Sequence, residues 1–128
     1  MRRQWHDGRG KLVVLGQSGG GTPIPLEIAS SYRARTRGLL GRNAVTGALL
    51  LSPASSVHTI GMRIPIDVAY LDRHLRVITV RTMRPGRLGW PRLRARHVLE
   101  AEAGAMAGWG LRVGVRVEVD READGGGR

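Results

Sequence analysis

The chain has 128 residues, no cysteine and a formal net charge of +11. A chain of this length has room for one hydrophobic core, and the lack of cysteine excludes disulfide bonds and thiolate metal sites. The N-terminal segment has two arginines but no apolar stretch long enough for a signal peptide or a membrane span. These features predict a single soluble domain located in the cytoplasm.

The positive charge comes almost entirely from arginine, because Lys11 is the only lysine. A large basic excess normally indicates a polyanionic partner. An arginine excess combined with abundant glycine and alanine is also typical of GC-rich coding sequence, which weakens that inference. The distribution of charge is more informative, since residues 73–99 contain eight arginines and no carboxylate.

Short apolar runs, separated by glycine and proline, predict strands along the chain. The run at 24–28 alternates like an edge strand, a place where Pro25 is tolerated. The last run alternates from Val113 to Val119, with charged residues on the opposite face. The predicted strands are residues 11–15, 24–28, 48–51, 66–71, 76–80 and 116–120.

Two short helices are predicted between the strands. Ser30 or Ser31 can cap a helix that runs to about Leu40, with Gly41 just past its end. A second helix is predicted around residues 103–109, before Gly110. Frequent short strands with few helices favour a sandwich or barrel.

The predicted fold class is therefore mainly β (β-rich α+β), a single compact sandwich- or barrel-like domain with one or two short helices. Residues 1–9 are predicted to form a flexible N-terminal arm and residues 122–128 a flexible tail. Residues 10–121 form the domain between them, since no linker divides that stretch.

The stretch at residues 16–20 reads GQSGG and matches G-x-S-x-G, a pattern found around hydrolase nucleophiles. That turn needs a helix directly after the serine, whereas GGTPIP follows here. A hairpin loop is the preferred interpretation, and hydrolysis is a minor alternative. The four histidines are widely spaced and match no zinc motif, so no metal site or cofactor is predicted.

Asp67 is the single carboxylate in the apolar run of residues 64–71. A buried carboxylate must be neutral or paired, and losing one partner of a buried ion pair costs about 3–5 kcal/mol. Its candidate partners are Arg35, Arg42, His58 and Arg63. Glu100 is a second acidic position that could form an acid–base pair with Asp67 if the fold brings the two together.

Two interpretations of Asp67 follow. In the first, an arginine and Asp67 tie a helix to the sheet and have no further role. In the second, the cationic side chains exceed what one carboxylate neutralises, and they line a pocket for a small anionic or hydroxylated ligand. The candidate ligand-binding residues are Arg35, Arg42, His58, Arg63 and Asp67.

The segment of residues 81–97 is the strongest nucleic-acid-like feature, because it places Trp90 among arginines in a loop broken by proline and glycine. The chain has only five aromatic residues and no nucleic-acid-binding motif, so a solvated loop with Trp90 packed on the core is the preferred interpretation. The alternative polyanion-binding residues are Arg84, Arg87, Trp90, Arg92, Arg94 and Arg96.

At residues 58–72 the sequence resembles the domain of unknown function 192 family. The family's turn and strand match Met62 and the Pro65–Val68 stretch, and its R-x-x-G-L-M-x-R element matches residues 35–42, with Leu40 in place of Met. Val98, Leu99 and Glu100, followed by Gly104, match the V-L-E…G element. The G-[IL]-x-x-G-D element matches residues 110–114, but Val115 replaces its aspartate.

The resemblance spans roughly residues 11–119 and implies a compact β-rich domain with one or two short helices. It implies no activity. The sequence therefore predicts a non-catalytic small-ligand-binding or accessory module with a polar pocket near Asp67, and polyanion binding by residues 73–97 is the alternative. Oligomeric state is left open.

Overall fold

The computed structural model describes residues 5–16 and 21–122, which contain nine strands and two helices. The strands are β1 (Gly8–Val14), β2 (Ile24–Ala29), β3 (Ala48–Leu51), β4 (Val57–His58), β5 (Ile66–Leu71), β6 (Val77–Met83), β7 (Leu88–Gly89), β8 (His97–Glu102) and β9 (Val117–Arg121). The helices are α1 (Tyr32–Arg37) and α2 (Ala105–Gly108). β1 begins at Gly8, so two residues of the predicted N-terminal arm belong to a strand.

Seven strands form one sheet in the order β6-β5-β8-β3-β2-β1-β9, and β4 pairs with β7 in a second, two-stranded sheet. Only the β2–β3 pair of the large sheet is parallel, and α1 lies in its crossover. The two edge strands approach each other where Arg76 pairs with Arg116, and the Val77 N–H donates to the Val115 carbonyl. The sheet is therefore curled into a half-barrel, and the predicted mainly β fold class is confirmed.

The curled sheet buries apolar side chains on both faces. The concave face holds a cluster that draws on all seven strands and on α2, including Leu12, Leu50 and Met106. The convex face holds a second cluster, including Leu39, Leu49 and Val68. β3 and β5 are buried along their whole length because they contribute to both clusters, as their unbroken apolar sequences predict.

α1 is shorter than the sequence predicts. Ser31 caps it as expected, since its hydroxyl accepts a hydrogen bond from the Ala34 N–H at 3.1 Å. The helix ends at Gly38, three residues before the predicted stop, because Gly38 has a φ of 47° that a helix cannot continue through. Arg42 consequently does not share the helix face of Arg35.

Two strand predictions need correction. β2 is an inner strand rather than an edge strand, and Pro25 is tolerated because the β2–β3 ladder begins only at Leu26. The last strand begins at Val117, and the preceding residues form a turn in which Val113 is exposed. Val115, which replaces the family's aspartate, packs against the concave cluster.

Candidate functional site

Asp67 is buried, as predicted, but its partners are not arginines. Its Oδ1 accepts a hydrogen bond from the Thr82 hydroxyl at 2.6 Å. Its Oδ2 accepts from the backbone N–H groups of Gly104 at 2.9 Å and Met106 at 3.1 Å. Asp67 therefore fastens the start of α2 to β5, which is a structural role of the predicted kind achieved with the other helix.

The predicted partners of Asp67 are engaged elsewhere. Arg42 makes two hydrogen bonds of 2.9 Å to the carboxylate of Glu27, and these lower the pKa of Glu27. Arg35 donates to the carbonyl oxygens of Ser30 and Pro53. Arg63 donates to the Asn43 side chain, and His58 is exposed in β4.

The physical reason for this difference is strand geometry. Asp67 points to the concave face, because its neighbours Ile66 and Val68 belong to the convex cluster and successive side chains of a strand alternate. Arg42 pairs with Glu27, which lies on the convex face between two concave-facing residues of β2. Asp67 and Arg42 therefore lie on opposite faces of the sheet and do not line a common pocket.

Glu100 is a second buried carboxylate, and it lies on the convex face. It is opposite Val68, whereas Asp67 is opposite Ala101, so the two acidic groups point away from each other and form no acid–base pair. Its Oε1 has no hydrogen-bond partner among the described residues, and it faces Gly38. Burial raises the pKa of Glu100 to about 7, opposed in part by the charge of Arg42.

The end of the half-barrel opposite α2 contains a cavity of about 1000 Å³. We call it the open-end cavity. Its lining comprises Trp5, Ser30, Ser52, Pro53, Arg73, His74, Leu75, Arg96, His97, Arg116, Val117, Glu118 and Val119. Three arginines of this lining, Arg73, Arg96 and Arg116, stand against a single carboxylate, Glu118, so the charged side chains of the lining are predominantly positive.

A buried polar pair forms one wall of the open-end cavity. The Nδ1 atom of His97 lies 2.7 Å from the hydroxyl oxygen of Ser52, and both residues are buried. They meet because Ser52 follows β3 and His97 begins β8, and these strands are antiparallel neighbours. Trp5 packs edge-on against the imidazole with 5.5 Å between ring centroids, while the Arg121 guanidinium lies 4.3 Å above the Trp5 ring.

Sequence reasoning misses the open-end cavity almost completely. Of the candidate residues, only Arg96 lines it. His97 precedes an apolar run and has the pattern of an ordinary structural histidine. No local pattern joins it to Ser52, which lies 45 residues earlier in the chain.

The basic segment corrects a further expectation, because Trp90 is 79% exposed rather than packed on the core. Arg84, Arg87, Trp90 and Arg92 line one groove, and Arg92 and Arg96 line a second one together with Arg35 and His58. Arg94 lines neither of these grooves. The structure thus brings five of the six predicted polyanion-binding residues to two neighbouring grooves.

Two other kinds of feature are missing from the described part of the chain. Within residues 5–16 and 21–122, no group of three or more His, Cys, Asp or Glu side chains is placed to hold a metal ion. Among these same residues, no helix has the length and apolar character needed to cross a membrane. Ser18 of the G-x-S-x-G stretch lies outside the described residues.

Fold and site together define a small half-barrel domain with one end plugged by a helix and a polar cavity at the other. The chain belongs to the DUF192 family, described as "Uncharacterized ACR", whose profile matches residues 13–119. The family resemblance seen in the sequence is thereby confirmed.

Relatives and solved structures agree with this assignment. The chain is 32% identical over 84 residues to UPF0127 protein PH1112 of Pyrococcus horikoshii, covering 62% of this chain and 73% of that protein. It is 31% identical over 98 residues to UPF0127 protein PYRAB11210 of Pyrococcus abyssi, covering 73% of this chain and 84% of that protein.

Two crystal structures share the fold. One is a protein of unknown function from Novosphingobium aromaticivorans, with a TM-score of 0.71 and 21% identity over 84% of this chain and 83% of that one. The other is a proposed transcription regulator from Sinorhizobium meliloti, with a TM-score of 0.76 and 18% identity over 91% of this chain and 98% of that one. At these identities the likeness concerns the fold alone.

Proposed function

We propose that this protein is a non-catalytic binding module whose open-end cavity takes a small hydroxylated anion, such as a phosphorylated or carboxylated metabolite. The single observation that carries the proposal is the lining of that cavity, in which Arg73, Arg96 and Arg116 outnumber the one carboxylate, Glu118. Ligand sites commonly occupy the mouths of β-barrels, with a few convergent polar groups on an apolar wall.

The chemistry of the lining supports an anion rather than a neutral ligand. Guanidinium groups have several donors in a planar fork that matches carboxylate and phosphate oxygens. Leu75, Val117 and Val119 supply an apolar wall behind them. A ligand hydroxyl can be placed by the polar side chains that share the cavity, which include Ser30 and His74.

The Ser52–His97 pair supports binding rather than nucleophilic catalysis. A nucleophile must reach the substrate, but only 1% of the Ser52 surface is exposed. The pair instead fixes the imidazole ring in one orientation. A fixed ring and a rigid sheet give a preorganised wall, which lowers the entropy lost on binding.

Isothermal titration calorimetry with inorganic phosphate, citrate and ribose phosphate tests this proposal, with ribose as the uncharged control. We expect saturable binding of at least one anion and none of ribose. Replacing Arg73 and Arg116 together by Gln should weaken that binding at least tenfold, because each hydrogen bond to a charged group contributes about 1.5–3 kcal/mol.

A matched double variant provides the control. Arg33 and Arg112 are exposed and line no cavity described above, so their replacement by Gln removes the same charge from the surface. This variant should bind as the wild type does. Equal weakening in both double variants, or no saturable binding of any anion, would contradict the proposal.

A further inference from the structure

Trp90 lies in an unusual position for one of only five aromatic residues. It follows β7 directly, is 79% exposed, and has exposed Leu88 and Leu93 within three residues of it. Exposed tryptophan is disfavoured in water unless a partner covers it, so a cluster of this kind indicates an interaction surface.

Hydrogen bonds to Thr59 fix the backbone of residues 84–87, shortly before Trp90. Thr59 is buried, and its hydroxyl donates to the Arg84 carbonyl at 2.6 Å and accepts from the Arg87 N–H at 2.8 Å. The Thr59 N–H also donates to the Arg87 carbonyl at 2.8 Å. The polar groups of this turn thus have defined partners, while its arginine side chains remain exposed.

Gly89 anchors the same segment on its other side. A side chain at this position would collide with the Tyr70 hydroxyl and with Val57, so only glycine allows β7 to lie this close to the core. β7 is therefore packed directly against the core, and Trp90 is the exposed residue that follows it.

Arginines surround this indole in two neighbouring grooves. The first, of about 530 Å³, is lined by Arg81, Arg84, Arg87 and Arg92 with Trp90. The second, of about 860 Å³, is lined by Arg35, Arg92 and Arg96 with the exposed Tyr32. Neither groove has a carboxylate among its described lining residues.

Arg92 joins the two grooves and is itself held in place. Its guanidinium carbon lies 5.4 Å from the centre of the buried Tyr70 ring, a cation–π contact that restricts the side chain. Its Nε is buried and has no hydrogen-bond partner among the described residues. A guanidinium restricted in this way where the two grooves meet is well placed for an incoming phosphate.

We propose that the Trp90 surface, defined as these two grooves with Trp90 and Tyr32, binds single-stranded nucleic acid. Phosphates follow the arginines, and unpaired bases stack on the exposed aromatic rings, as in other single-strand binders. The proposal concerns a different surface from the open-end cavity, with which it shares only Arg96 and Pro53. Either proposal can therefore fail without the other.

Charge complementarity and shape favour this partner over others. A duplex keeps its bases stacked and is read by an element that enters a groove, whereas α1 has six residues and Trp90 needs an unpaired base. An anionic membrane presents a flat surface, whereas these arginines line concave grooves. An acidic peptide offers carboxylates to the arginines, but only a nucleic acid places a planar base beside every anionic group of its chain.

Fluorescence anisotropy of labelled oligothymidylate and oligouridylate at two salt concentrations tests the proposal. We expect Trp90→Ala to weaken binding roughly 5- to 150-fold and Trp90→Phe to restore most of it. The double change Arg84→Ser and Arg87→Ser should lower the slope of log affinity against log salt by about 0.7 for each phosphate that is no longer neutralised.

Controls separate this surface from general positive charge. Arg112→Ser and Arg33→Ser together remove two exposed arginines that lie outside both grooves. The change in log affinity should be less than half of that caused by the Arg84→Ser and Arg87→Ser double variant. Wild-type affinity for Trp90→Ala, equal losses in both double variants, or tight binding to phosphatidylserine vesicles with none to the oligonucleotides would overturn the proposal.

Discussion

The two ends of the half-barrel differ in how their polar side chains are paired. At the α2 end, the Asp67 carboxylate has three hydrogen bonds, and its donors come from Thr82 and the backbone at Gly104 and Met106. At the open end, several basic side chains surround a cavity around the Ser52–His97 pair. Polar groups that satisfy one another hold the fold together, whereas polar groups in excess are available to a ligand.

The two buried carboxylates give the same lesson on a smaller scale. Asp67 and Glu100 lie on neighbouring strands and are both buried, yet Glu100 has an oxygen without a partner among the described residues. Burial alone therefore does not decide what a carboxylate contributes to stability. Its hydrogen bonds do.

Removing the Asp67 carboxylate should have the largest effect. We expect Asp67→Ala to lower the free energy of unfolding by about 3–5 kcal/mol, because it removes three hydrogen bonds and leaves the buried Met106 N–H without its acceptor. Asp67→Asn should cost less, since the amide oxygen can still accept from those groups and the NH₂ can donate to Thr82. Urea denaturation of both variants measures the difference.

Anion binding at the open end should survive Asp67→Asn, if the two ends are independent. If Asp67→Asn weakened anion binding as much as the Arg73 and Arg116 double variant does, the two ends would not be independent. A wild-type unfolding free energy for Asp67→Ala would show that the hydrogen bonds at α2 contribute nothing.

Glu100→Gln should have an effect of similar size that depends on pH. The folded protein holds the Glu100 proton up to about pH 7, whereas the unfolded chain loses it near the usual pKa of 4.5. The contribution of Glu100 to stability therefore falls as pH rises from about 4.5 to about 7, by roughly 3 kcal/mol in total. The variant has no such titration. Its free energy of unfolding should therefore rise relative to that of the wild type between about pH 4.5 and pH 7 and stay higher above pH 7.

The exposed neighbour Glu102 provides the matched control for this experiment, because Glu102→Gln removes the same charge from the same strand. Its stability difference from wild type should change little with pH. A difference between Glu100→Gln and wild type that is also flat across the window would show that Glu100 is ionised at no cost.

Ser52→Ala should have the smallest effect on stability, about 1 kcal/mol, because it removes one hydrogen bond of a buried pair. The imidazole of His97 loses one of the contacts that orient it, so anion affinity should fall as well. Thermal melts and calorimetry on the same preparation separate the two effects. Unchanged anion affinity would exclude the Ser52–His97 pair from the binding wall.

Much of the fold is predictable from the sequence because its strands carry local signals. The apolar runs that become β3 and β5 are unbroken, and Asp67 is recognisable as buried from its neighbours alone. Ser31 as a helix cap follows from the same kind of local reasoning. The errors at β2 and β9 concern where a strand lies or begins, which depends on partners elsewhere in the chain.

The partners of Asp67 could not be predicted from side-chain types. Two of its three donors are backbone N–H groups, 37 and 39 residues away, and every residue except proline has one. Pairing a carboxylate with nearby arginines ignores these donors. Glu100 had a readable signal, since it interrupts the apolar run of β8 as Asp67 interrupts that of β5.

The open end and the Trp90 surface depend on long-range geometry. Ser52 and His97 meet only through the order of the strands, and Trp90 is exposed next to a glycine that packs against the Tyr70 hydroxyl. No periodic pattern in the sequence predicts either feature. Cytoplasmic location, an inference from composition, stays a prediction.

The claim that the open end is the ligand site is tested most directly by amide and indole chemical shifts during titration with the tightest-binding anion of the calorimetric panel. The resonances of the Trp5 indole and of the Ser52 and His97 amides should shift with one saturable affinity. The amides of Gly104 and Met106, at the plugged end, should not move. Shifts concentrated at Gly104 and Met106, or spread over exposed arginines without saturation, would contradict it.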